Sequence, residues 1–112
     1  MPYIEYEPIK LIKGSLRFTW DDEKARINLQ KHGISFYAAI GVFFDDDAFI
    51  EFNSLDGRTG EERFDITGKA ESDTMFVVYV ERITVSKRDV IRIISARLAD
   101  RKERNRYVDG AE

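Results

Sequence analysis

AFIEFNSLDGRTGEERFDITGKAESDTMFVVYVERITVSKRDVIRIISAR, residues 48 to 97, is the stretch that decides the fold. Four runs in it alternate side-chain character with a period of two: Ala48 to Asn53, Glu62 to Gly68, Thr74 to Arg82 and Asp89 to Arg97. They are rich in β-branched and aromatic residues, which fit a pleated, half-buried surface, so each reads as a strand. The segments between them, NSLDGRTGE, KAESD and ITVSK, are short and polar or carry turn formers. Connections of that length join antiparallel neighbours. The expectation is a four-stranded antiparallel meander. TMFVVYV and VIRII are nearly apolar on both faces, which places those two strands centrally, with helices covering one side.

Upstream, FTWDDEKARINLQKHG carries the signals of a helix from Asp22 to His32. Asp21 is a good N-cap, Asp22 and Glu23 put negative charge in the first turn, and Gly33 suits the left-handed position after the last turn. Ala25, Leu29 and His32 fall on one stripe of it, with Lys24, Asn28 and Lys31 on an adjacent polar one. Ser35 caps a second helix, Phe36 to Phe44, which ends at the acidic turn Asp45 to Asp47. Downstream, Asp100 and Glu103 have the spacing of a capping box, opening a helix that runs to Gly110. The fold class expected is therefore α+β: two N-terminal helices, a four-stranded antiparallel sheet and a C-terminal helix. Residues 1 to 17, interrupted by Pro2, Pro8 and Gly14, follow no clean period and read as an N-terminal extension, either an added edge strand or a tail, on a single domain of residues 18 to 112.

Composition narrows the function classes. A chain of 112 residues supports one core. It has no cysteine, which excludes disulfides, thiolate metal sites and cysteine nucleophiles. The apolar runs are short and broken by charge, and the N-terminus carries acids where an export signal carries a hydrophobic block, so a cytoplasmic protein without membrane contact is expected. The formal net charge of -3 hides a segregation. Residues 82 to 106 hold nine Lys and Arg against three acids, whereas residues 21 to 81 hold six bases against fourteen acids. A basic face on an acidic body binds polyanions; the alternative is a solvated helix face paired with acids elsewhere.

Arginines at strand positions are the most informative residues. Arg92 stands inside a run that belongs in the centre of the sheet, where an unpaired charge costs several kcal/mol, roughly, so it is either a buried ion-pair partner or lines a site. Arginine holds phosphate with two donors and stays charged in a groove. RNA cleavage needs a base for the 2′-hydroxyl, charge stabilisation at phosphorus and an acid for the leaving oxygen; positioned arginines supply the second. Strict alternation sets Arg92 with Val90, Ile94 and Ala96 on one face, and Arg97 with Ile91, Ile93 and Ser95 on the other. Glu62 and Arg63, adjacent on a strand, point to opposite faces. His32 suits a cation at a helix C-terminus, with a catalytic role as the second reading. Asp45, Asp46 and Asp47 could hold magnesium or calcium, but three acids at a helix end more simply form a solvated turn. No cofactor or metal is expected.

The ordered series FTWD (18 to 21), Lys24, Asn28, KHGISF (31 to 36), FDD (44 to 46), EERF (61 to 64), Gly68, ER (81 to 82), RIISAR (92 to 97) and ER with Tyr107 (103 to 107) resembles the BrnT family of toxins. Asp47 departs from the pattern, since a proline commonly follows FDD. The resemblance implies a fold similar to RelE-type ribonuclease toxins and a metal-independent endoribonuclease that cuts RNA and arrests growth. It implies neutralisation by a BrnA-like antitoxin, DNA contact only through that antitoxin, and assembly as a homodimer or a toxin–antitoxin heterotetramer. On this family's pattern, Arg82 and Arg97 are the first candidates for stabilising phosphate. Lys31, His32, Glu62 and Arg63 follow for acid–base work or positioning, and Tyr79 after them. Arg92, Arg101 and Lys102 are the RNA-binding candidates. A non-catalytic binding module of a toxin–antitoxin or repressor complex is the alternative.

Overall fold

The structure, a computed structural model, describes residues 8–83 and 89–111. Two short strands, Leu11–Lys13 (β1) and Leu16–Thr19 (β2), precede the helices Asp22–His32 (α1) and Phe36–Ala39 (α2). A 3-10 turn over Ile40–Phe44 continues α2. Four longer strands follow, Phe49–Leu55 (β3), Glu62–Ala70 (β4), Asp73–Ile83 (β5) and Asp89–Leu98 (β6), and then the helix Arg101–Ala111 (α3). Residues 1–7 of the expected extension and 84–88 of the expected β5–β6 turn lie outside the described residues.

The four expected strands are β3 to β6, paired antiparallel in sequence order, with β5 and β6 in the middle of the sheet. The expected four-stranded antiparallel sheet is nevertheless wrong. The sheet has six strands in the order β1-β2-β6-β5-β4-β3, and β2 runs parallel to β6. The helices are not the N-terminal elements either, because β1 and β2 come first. The physical reason is length. Strands of three and four residues around Gly14 are too short to show a period, and a parallel pair is joined through a long crossover that no local signal announces.

Local signals served the helices better. The Asp21 side chain accepts from the Lys24 amide at 2.9 Å, and Gly33, at φ 71°, donates its N–H to the Leu29 carbonyl. Ser35 accepts from the Ala38 amide at 3.0 Å, but only one turn of α-helix follows before the tighter 3-10 winding. That winding presses Val42 and Asp45 onto β4 at Gly68, where a Cβ would meet Ala48 Cβ at 2.8 Å, so no larger residue fits.

The core lies between these helices and one sheet face, filled by Phe18, Trp20, Phe36, Val42, Val77, Tyr79 and Ile93. Of the two stripes of α1, the polar one carries the main contact with the sheet. Leu29 is exposed and Asn28 is the buried residue of the helix. Its Nδ2 donates to the Ala96 carbonyl at 2.8 Å and the Ile34 carbonyl at 3.0 Å, and its Oδ1 accepts from the Ala96 amide at 3.1 Å. This amide locks α1 onto β6.

A bulge in β6 has a larger consequence. Val78 pairs with Ser95 but Tyr79 pairs with Ile93, leaving Ile94 as the extra residue. One inserted residue reverses the faces of everything beyond it. Strict alternation set Arg97 on the face opposite Arg92; the bulge brings it to the same face, opposite Phe76, with its guanidinium 4.3 Å from that ring centre.

Candidate functional site

The sheet face turned away from α1 and α2 gathers the arginines. Register aligns Arg17 with Val90 and Val90 with Arg82, and in the next row Thr19 with Arg92 and Arg92 with Val80. Opposed positions on neighbouring strands lie about 5 Å apart and diagonal ones about 7–8 Å. Arg17, Arg82 and Arg92 thus occupy two adjacent rows. Arg63 shares the face by alternation with Asp65, which opposes Val78, and so extends the row of Arg92 and Val80 onto β4. Four arginines meet at one end of the sheet.

Arg92 is 9 % exposed and forms the floor of this patch. Arg82 is held from the side: its Nε and Nη2 donate to the two carboxylate oxygens of Glu61 at 3.0 and 3.1 Å. Arg63 donates to Asp56 at 2.8 Å. Asp56 itself accepts from the Thr59 and Arg58 amides, which hold its carboxyl at about 2, so it is charged at any physiological pH. Arg17 makes no ion pair among the described residues.

Arg97 lies elsewhere. It opposes Phe76, six residues along β5 from Arg82, or about 20 Å at strand rise. There it donates two hydrogen bonds to Glu103, at 2.8 and 2.9 Å. Glu103 also accepts from the Asp100 amide at 2.8 Å, and Asp100 accepts from the Glu103 amide, which completes the expected capping box. Arg101 and Lys102 are exposed in the same first turn of α3. Arg82 and Arg97 are therefore too far apart to grip one phosphate together.

The remaining candidates are dispersed. Lys31 and His32 are exposed at the end of α1, on the opposite side of the sheet from the arginines. Glu62 is exposed and, by alternation, faces away from Arg63. Tyr79 is buried in the core, where desolvation first, and then the charges of Glu81 and Asp65, push its hydroxyl up to about 12. Asp45 is occupied by the fold: its carboxylate accepts from the Lys69 amide at 2.7 Å, the Tyr107 hydroxyl at 2.7 Å and the Asp47 amide at 3.0 Å. Burial pushes that carboxyl up, but these hydrogen bonds outweigh it and hold it below its usual range. Among the described residues no three His, Cys, Asp or Glu side chains are grouped to hold a metal.

Two site residues escaped the sequence. Arg17 reaches the patch only through the parallel pairing of β2 with β6, which leaves no local trace. Glu61 stands in the motif EERF but precedes the strand, and the family's pattern points to Glu62 and Arg63 rather than to the carboxylate that contacts Arg82. Chemically, the patch combines four guanidinium groups with two carboxylates, Asp56 on Arg63 and the more exposed Glu61 on Arg82. That set can bind phosphodiester oxygens and offers a base beside them.

The sequence model of one protein family, described as "Ribonuclease toxin, BrnT, of type II toxin-antitoxin system", matches residues 20–103. No curated protein matches the chain. No helix among the described residues is long and apolar enough to cross a membrane.

Proposed function

Because the chain belongs to the BrnT family of ribonuclease toxins of type II toxin–antitoxin systems, we propose that it binds and cuts RNA at the arginine patch formed by β2, β4, β5 and β6. The observation that carries this reading is the alignment of Arg17, Arg82 and Arg92 in two adjacent rows of one sheet face, with Arg63 beside them. A phosphodiester laid on these rows meets several donors in a partly desolvated setting, where charge stabilisation is strongest. Phosphate competes with Glu61 for Arg82, and the released carboxylate takes the proton of the 2′-hydroxyl. The 2′-oxygen attacks phosphorus, the bond to the 5′-oxygen breaks, and solvent protonates that oxygen, leaving a 2′,3′-cyclic phosphate. The reaction proceeds without a metal ion. Arg97, with Arg101 and Lys102, contacts the strand some nucleotides away. In the cell the activity acts in the cytoplasm and arrests growth, a BrnA-like antitoxin neutralises it, and contact with DNA comes through that antitoxin.

The rival is a binding module without catalysis. It draws on the fact that Arg63, Arg82 and Arg97 are each already held by a carboxylate. Incubating the purified protein with single-stranded RNA in EDTA separates the two. Cleavage is expected, falling by about 10²–10³-fold in Arg82→Ala and in Glu61→Gln. Binding without cleavage at any protein concentration would establish the rival, and full activity of both variants would place the site elsewhere.

A further inference from the structure

β3 is the outermost strand of the sheet on its side, and among the described residues no strand pairs with its free edge. Natural edges are blunted by lysine, proline or a covering element. Phe49–Leu55, FIEFNSL, has no lysine or proline; a bulge at Asn53 interrupts it, and Arg106 of α3 reaches Glu51 and the Phe49 ring on its other face, but no strand or helix lies along its edge among the described residues. On the helix-side face of this strand, Ile50, Phe52 and Leu55 are 56, 55 and 61 % exposed. They share that face because of the bulge: Phe52 pairs with Phe64 and Ser54 with Arg63, which skips Asn53 and brings Leu55 into line with Ile50 and Phe52. Without it Ser54 would occupy the third position. The helical layer ends over β4, where Phe52 makes an edge-on contact with Phe64 at 6.1 Å.

We infer that this edge receives an extended strand of the antitoxin, one that alternates apolar and basic side chains. The inference rests on reading the chain as a toxin held by such a partner. An added strand pairs with the unused N–H and C=O groups of β3 and lays its apolar side chains against Ile50, Phe52 and Leu55. Charge selects its other residues. Residues 45 to 66, which surround the stripe in sequence, hold eight acids against two bases. Glu51, Asp56 and Glu61 are bridged to Arg106, Arg63 and Arg82, whereas the exposed Asp46, Asp47 and Glu62 make no ion pair among the described residues, and Glu62 stands opposite Leu55 of the stripe. A second copy pairing β3 with β3 would bring two such acidic hairpins together, whereas lysines and arginines on an incoming strand would complement them. The hairpin is also preorganised: the Asp56 amide donates to the Glu61 carbonyl at 2.8 Å and the Gly60 amide to the Asp56 carbonyl at 2.9 Å, so little ordering is required on docking.

Amide hydrogen exchange on the full chain tests this with a short capped peptide of alternating lysine and valine as probe, beside its glutamate counterpart. The lysine peptide is expected to slow exchange of the Phe49–Leu55 amides by about tenfold, less so at high salt, while the glutamate peptide has no effect. An Ile50→Lys, Phe52→Lys variant, altered only at exposed positions, is expected to lose the protection while keeping its circular dichroism and its RNA cleavage. Equal protection by both peptides, protection confined to another element, or none at millimolar peptide would overturn the inference. So would sedimentation of the free protein as a dimer with β3 already protected. Cleavage assayed on the same samples keeps the two ideas apart: a protein that protects β3 but cuts no RNA contradicts the catalytic reading and leaves the docking edge standing.

Discussion

Asp65 shows at the scale of one residue what burial in a sheet does to a carboxylate. It lies on β4, 6 % exposed, with Oδ2 accepting from the Asn53 side-chain amide at 3.1 Å and Oδ1 buried without a partner. Burial, helped by the charges of Glu51 and Glu103, raises its pKa against the Asn53 hydrogen bond and the attraction of Arg106. A carboxyl whose folded pKa is raised contributes stability that is complete below its unfolded value near 3.8 and is lost as pH rises through the folded value. Asp65→Asn is therefore expected to stabilise the protein at pH 7 by on the order of 1 kcal/mol, with the gain vanishing at pH 3.5. Urea unfolding at the two pH values measures it. An equal gain at both, or a loss at pH 7, would mean that the ionised carboxylate is tolerated.

Among elements, α1 depends on a single amide rather than on an apolar stripe. Asn28→Ala removes three hydrogen bonds and strands the Ala96 amide and carbonyl in a buried seam, so a loss of about 2–4 kcal/mol is expected. Denaturant midpoints check this, and Leu29→Ala, at an exposed position, is expected to change them little. The same helix shows where sequence reasoning works. Its two ends follow from Asp21 and Gly33 because capping is a matter of neighbouring residues, and the same holds for Asp100 and Glu103 at the start of α3. The burial of Asn28 was not legible, since its partner Ala96 is distant in sequence and a polar residue on a helix ordinarily faces water. The bulge at Ile94 was hidden for a related reason: both alternations of VIRIISAR look acceptable, and only the pairing with β5 shows which residue is extra. The faces of Arg92 and Arg97 turned on that one residue. Arg82, Arg92 and Arg63 were legible as candidates, but their meeting with Arg17 required the six-stranded topology.

Across the whole molecule, a modest net charge conceals a polar arrangement. Arginines from β2, β4, β5 and β6 share one end of a sheet face, where Asp56 and Glu61 of the β3–β4 hairpin pair with two of them, while Asp46, Asp47 and Glu62 leave negative charge beside the free edge of β3. On this account the two regions serve different partners, RNA phosphates at the first and a basic antitoxin strand at the second. The central claim is that the arginine patch holds RNA, and Arg17 tests it best because only the topology assigns it there. The measurement is the salt dependence of affinity for a 2′-O-methyl oligoribonucleotide, which binds without being cut, by the unaltered chain and by Arg17→Gln. The variant is expected to bind more weakly at low salt and to lower the slope of log affinity against log salt by about 0.7, the share of one single-strand phosphate contact, with its unfolding midpoint unchanged. Identical affinities and slopes for the two proteins would contradict the account.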